Sequence, residues 1–192
     1  MSASLFPPIA AVIHTSHGIA DDVLAIFAHG LRTRGWRVRG LLQQAPEAAS
    51  AWSPLGDHCC LKQARLVDLD EGRSFPLFQD LGSGSTSCRV DAAGVAEASA
   101  VLRRALAEGA DLVVTNRFGA LEAAGGGFAA EMLALMSEGV PLLTTVEGKY
   151  LAHWLNFTGG GAIELPPRLD VLDAWFSGLE HFLYPEPAYG MQ

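Results

Sequence analysis

Three residues in one short stretch carry groups able to hold a charged ligand. Asp111 to Phe128 reads DLVVTNRFGALEAAGGGF. Asn116 supplies an amide with both donor and acceptor, Arg117 a planar cation and Glu122 a carboxylate. Before them, Asp111 to Thr115 is a short Val-rich apolar run bounded by Gly109 and by polar residues, the signature of a buried strand. In an open parallel sheet, ligands sit outside the carboxyl ends of the strands. Asn116, Arg117 and Glu122 fall at such an end. The same residues also suit a loop in which Arg117 and Glu122 pair with each other or face solvent.

A second set lies near the amino terminus. His14-Thr15-Ser16-His17-Gly18 follows the apolar run IAAVI and precedes a helical pattern. This is where a phosphate cradle of the form GxxxxGK[ST] would stand. The stretch HTSHGIADD has one glycine, no lysine and no Ser or Thr at the motif's last position for magnesium, and Asp21 and Asp22 would repel a triphosphate. The loop is placed for a Walker A cradle but is chemically degenerate, which argues against ATP hydrolysis. Its backbone amides still suit a smaller anion. His14 and His17 are either ligands or ordinary loop residues.

A third set is Gly/Ser-rich. Leu81 to Ser87, LGSGSTS, reads as a flexible linker or as a loop whose N–H groups face an anion. On the second reading Gln79, Ser83, Ser85, Cys88 and Arg89 join the candidate ligand-binding residues. Cys60 and Cys88 also suit a nucleophile and its partner, or small buried apolar residues. Cys59, Cys60 and Cys88 do not form a secreted disulfide framework, and no second pair at zinc-ligand spacing exists, so no metal is expected.

These residues need a scaffold. Ile9 to Ile13 reads as a first, central strand. A helix follows, capped by Asp21 or Asp22 and running to about Thr33, with Val23, Leu24, Phe27, Ala28 and Leu31 as its apolar stripe. Trp36 to Leu42 is a second strand. Strand, helix, strand implies a parallel sheet. Cys60 to Asp70 and Ser74 to Gln79 read as an antiparallel hairpin around Glu71-Gly72, an insertion spanning about 58–87. A long Ala-rich helix then runs from about Asp91 to Glu108 with Asp91 as cap. After the Asp111 strand come a helix over Phe128 to Glu138, a strand over Val140 to Val146, a short helix over Tyr150 to Asn156, a short strand over Ala162 to Leu165, and a final helix over Leu169 to Leu183.

Composition bounds the partners. The chain has 192 residues, 49% of them apolar, which suits a single α/β domain with a real core. Formal net charge is -8 and only two lysines occur, Lys62 and Lys149. This argues against nucleic acid or an anionic membrane as partner. It leaves room for a small anion held by local arginines. No apolar run spans a bilayer, and MSASLFPPIAAVIH lacks the basic region of a secretory signal. A cytoplasmic location is therefore expected, and a homo-oligomer is compatible with everything above.

The chain resembles a family of uncharacterised bacterial proteins that carry a domain of unknown function and are often encoded beside genes for molybdenum transport or nitrogen fixation. That family looks like a degenerate relative of P-loop nucleoside-triphosphatases of the thermophilic, cancer-related type. The matching stretches are AAVIHTSHGIADDVLAIFAHGLRTRGWRVRGLLQ, FQDLGSGSTSCRVD, DLVVTNRFGALEAAGGGFAAEML and GVPLLTTV. In those enzymes the central strand ends in a DEIG-like motif whose acids serve magnesium and water. Here Asn116 and Arg117 replace the acids, while Gly119 and Glu122 stay in phase.

The resemblance implies a three-layer α/β fold with a mostly parallel sheet. With the residues above, it points to a small-anion-binding protein, for an oxyanion such as molybdate or for a nucleotide. The alternatives are a divergent nucleoside-triphosphatase or phosphotransferase, and an adaptor that binds a transporter or regulator. The cofactor, if any, is left open by the sequence.

Overall fold

The computed structural model describes residues 8–15, 18–44, 64–78 and 90–183. Among these, seven strands form one sheet in the order β4-β3-β2-β5-β6-β1-β7. The strands are β1 (Ile9–His14), β2 (Val38–Gln44), β3 (Arg65–Asp68), β4 (Ser74–Pro76), β5 (Leu112–Phe118), β6 (Leu142–Glu147) and β7 (Ile163–Leu165). The helices are α1 (Ile19–Thr33), α2 (Ala92–Glu108), α3 (Ala120–Ala123), α4 (Ala129–Ser137), α5 (Leu151–Phe157) and α6 (Leu169–Leu183). β2, β5, β6, β1 and β7 run parallel, whereas β3 and β4 are an antiparallel hairpin hydrogen-bonded to the outer side of β2. β1 is therefore not central, as its apolar run suggests, but next to the edge strand β7. Its residues are buried because helices cover both of its faces, which a sequence cannot distinguish from a central position.

Two cores make the three layers. One face of the sheet packs under α1 and α6 through Leu24, Phe27, Leu31, Leu172, Trp175, Phe176 and Leu179. The other packs under α2, α4 and α5 through Val95, Leu102, Met132, Leu135 and Trp154. Ala10, Ala11 and Val12 in β1 are completely buried, and their small side chains let both helix layers approach.

Local chemistry sets the helix starts. The Asp91 carboxylate accepts from the N–H groups of Ala93 and Gly94, so it caps α2. α1 behaves differently from the expected Asp21 or Asp22 cap. It begins earlier, at Ile19, with Gly18 as the cap residue at a φ of 99° that favours glycine. Asp21 and Asp22 thus lie inside the first turn, where their charge complements the helix dipole and their side chains are available for other contacts.

Candidate functional site

The carboxyl end of β5 is built on a β-bulge. Thr115 pairs with Thr144 of β6, but the next pair is Phe118 with Val146. Three steps on β5 thus oppose two on β6, which leaves one extra residue in β5 and resets the alternation of its side chains. The strand runs on through Asn116 and Arg117 to Phe118 rather than ending at Thr115, so Arg117 is a strand residue and not part of a following loop. The reset returns Phe118 to the α5 side, where its ring lies 5.2 Å from those of Trp154 and Phe157. Arg117 reaches the α1 side instead. Its Nη2 donates to Asp21 Oδ2 at 2.7 Å, and both side chains are largely buried, at 20% and 15% exposure.

Arg117 therefore pairs with Asp21 rather than with Glu122. Glu122 is buried and turned into its own loop. Its Oε2 accepts from the Gly119 N–H at 3.0 Å, and its Oε1 accepts from the Phe128 N–H at 3.1 Å. One carboxylate so caps α3 and ties the Gly125-Gly126-Gly127 turn to the start of α4. Gly127, at φ 57°, leaves room for this, because a Cβ there would lie 2.0 Å from Glu122 Oε1.

The neighbouring strand ends bring further charge. His14, the buried last residue of β1, is in register with Glu147, the last residue of β6. Glu147 Oε2 accepts from Lys149 Nζ at 2.7 Å. The Glu147 hydrogen bond holds the Lys149 ammonium above the ordinary lysine value, while the positive charge of Arg117 pulls the other way. Among the described residues, the ends of β5 and β6 thus present two cations, Arg117 and Lys149, each joined to a carboxylate of the chain.

Of the residues singled out from sequence, His14, Thr15, Gly18, Asn116 and Arg117 lie along this end of β1, α1 and β5. Glu122 lies just beyond it and faces its own backbone. Ser16, His17, Gln79, Ser83, Ser85, Cys88 and Arg89 lie outside the described residues, as do Cys59 and Cys60. The residues that flank 79–89 are described: Phe78 bridges Val90, and the Asp91 N–H donates to the Leu77 carbonyl at 2.9 Å. Register through β3 puts Pro76, two residues before this point, level with Gln44, at the carboxyl side of the sheet but three strands from β5, or roughly 14 Å.

Sequence reasoning missed Glu147 and Lys149, and saw Asp21 only as a candidate helix cap and as a charge that repels phosphate. A signal for Lys149 was present. It is one of two lysines in the chain, three residues after the apolar run ending at Val146. Among the described residues no group of three His, Cys, Asp or Glu side chains could hold a metal ion. No helix there is long and apolar enough to cross a membrane.

The parallel five-strand order with helix layers on both faces makes a three-layer α/β fold like that of the P-loop nucleoside-triphosphatases. Within that class the chain belongs to the family described as Protein of unknown function (DUF2478), whose match covers residues 9–175. In fold it is similar to a human cancer-related nucleoside triphosphatase solved in solution, with a TM-score of 0.60 over 93% of this chain and 99% of that one, at 16% identity. It is also 35% identical over 168 residues to part of the Molybdenum import ATP-binding protein ModC 2 of Bradyrhizobium diazoefficiens. That match takes in 88% of this chain but only 18% of the relative's length.

Proposed function

We propose that the chain binds a small anion, either an oxyanion such as molybdate or a nucleotide, at the carboxyl end of its sheet, and that it serves molybdenum handling in the cytoplasm. The observation that carries this reading is Arg117. A bulge places a permanently charged, planar fork beside the first turn of α1, where phosphate-binding members of this architecture present backbone amides. Lys149 adds a second cation one strand away. His14, Thr15 and Gly18 border the same space. Asn116 precedes Arg117 in the strand, and Ser16, His17, Gln79, Ser83, Ser85, Cys88, Arg89 and Glu122 complete the proposed set.

The molybdenum part is supported by likeness to a protein named for molybdenum import. The test is a thermal-shift screen with molybdate, tungstate, sulfate, ATP and GTP, followed by titration calorimetry. A melting temperature unmoved by all five ligands would overturn the reading.

A second reading is an adaptor that binds a transporter component or regulator. The observation favouring it is that the chain matches only a portion of a longer import protein, as an accessory domain would. Co-purification with the importer's ATP-binding subunit, with no shift in the ligand screen, would favour it.

A further inference from the structure

We propose that Asp21 is a resident competitor for Arg117, so that a ligand must carry at least two negative charges to take the site; this rests on the anion-binding reading above.

Several observations converge on this. Arg117 and Asp21 meet at 2.7 Å with four-fifths or more of each side chain buried. The carboxylate thus already occupies the face of the guanidinium that looks towards α1. It also stands in the first turn of α1, the place that an oxyanion bound to the helix amides would take. An entering anion therefore gains a contact with Arg117 only by displacing or crowding a like charge. At Lys149 the arrangement repeats, with Glu147 Oε2 at 2.7 Å.

Counting formal charge over these four side chains gives two positive and two negative. A monoanion that displaces one carboxylate exchanges one unit of negative charge for another and gains little. A dianion that displaces the Asp21 carboxylate alone exchanges one unit of negative charge for two and so brings a net attraction. Asp22, adjacent in the same turn, is exposed and does not share this contact, so it carries the same formal charge without the same geometry.

The ligand class that follows is a doubly charged tetrahedral oxyanion in preference to a singly charged one of the same shape. Molybdate and perrhenate make this comparison, since both are tetrahedral tetraoxoanions of similar size and differ in charge.

Titration calorimetry on the full chain provides the test. The unaltered protein should bind molybdate and show no heat with perrhenate at the same concentrations. Asp21→Asn should tighten molybdate by tenfold or more and admit perrhenate, since the loss of a charged competitor is worth about the factor of a charge-assisted hydrogen bond. Asp22→Asn, an equal change of charge in the same turn, should alter molybdate binding less than about twofold, as expected of an exposed, screened charge. If Asp21→Asn folds poorly, Asp21→Ser makes the same comparison with a smaller group.

Equal effects of the Asp21 and Asp22 changes would overturn the competitor role, as would weaker molybdate binding in Asp21→Asn. The second result would make Asp21 a residue that positions Arg117. In both cases a loss of binding in Arg117→Ala would leave the anion-binding reading standing. Absence of molybdate binding in the unaltered protein and in every variant would end the competitor role, and with tungstate, sulfate, ATP and GTP also unbound it would end the anion-binding reading too.

Discussion

Arg117 and Asp21 meet at 2.7 Å although 96 residues separate them in the chain. The contact joins the end of β5 to the first turn of α1, the two elements that frame the proposed ligand-binding corner. It makes Arg117 a held group rather than a mobile one, so its replacement should be read out in binding and also in stability, because Asp21 loses a largely buried partner.

Arg117→Ala should weaken the anion found in the screen by roughly ten- to a hundred-fold, the value of one charge-assisted contact. Arg117→Lys should recover only part, because lysine keeps the charge but not the fork. Arg34 and Arg37 serve as controls. Arg34 pairs with Asp173, and Arg37 pairs with the buried Asp111 at the opposite, amino end of β5. Their alanine variants should bind as the unaltered protein does by calorimetry. Binding by Arg117→Ala as tight as that of the parent would place the anion elsewhere.

Hydrolysis should be absent. The loop from His14 to Asp22 has no lysine for the β- and γ-phosphates, and the resemblance noted from sequence implies that Asn116 and Arg117 replace the acids of a DEIG-like motif. Phosphate release from ATP or GTP is expected to stay at background. Turnover near about 1 per second, an ordinary enzymatic rate, that disappears on changing Asn116 or Glu122 would refute this.

Glu122 and Gly127 should be coupled in stability. Glu122→Ala removes acceptors from the Gly119 and Phe128 N–H groups and should cost about 1–3 kcal/mol in urea unfolding. Gly127→Ala should cost about 1–3 kcal/mol through its positive φ and through a Cβ driven into Glu122 Oε1. In the Glu122→Ala background that second cost should shrink, since the oxygen is gone. Strictly additive losses would show that the two do not interact.

The Lys149 ammonium offers a spectroscopic check on the charge cluster. Glu147 raises its titration above the ordinary lysine range and Arg117 opposes the rise. By NMR, Glu147→Gln should therefore move the Lys149 midpoint down, and Arg117→Ala should move it up. Because the folded value is the higher one, the Glu147–Lys149 pair is fully present below the ordinary lysine value and is lost as pH rises through the raised one. A Lys149 midpoint indifferent to Arg117 would remove it from the site.

Much of the scaffold was legible because it rests on local pattern. The apolar stripe of α1, the Val-rich β5, the Asp91 cap and the limits of α6 follow from spacing alone. Gly119 and Glu122 even stand at capping-box spacing, which foretells where that carboxylate turns. What was not legible depends on partners distant in the chain. Asn116 and Arg117 look like the end of a strand because they are polar. Only the ladder to β6, where Phe118 meets Val146, shows that the strand continues through a bulge. The pairing of Arg117 likewise depends on how α1 lies over the sheet, and no short window of sequence contains both.

The bulge at the end of β5 also fixes which kinds of genetic change this corner can absorb. Substitutions at Asn116 or Arg117 alter the chemistry presented but leave the count of residues intact, so Phe118 keeps its place beside Trp154. Deleting any one residue between Thr115 and Phe118 would instead restore plain alternation. Phe118 would still face α5, two steps from Thr115, and one residue instead of two would stand between them. Losing the bulge without losing a residue is the change that would turn Arg117 towards the aromatic layer under α5 and Phe118 towards α1. The extra residue is thus what lets the strand end carry both Asn116 and Arg117 without displacing Phe118, and side-chain chemistry there is left open to change under selection.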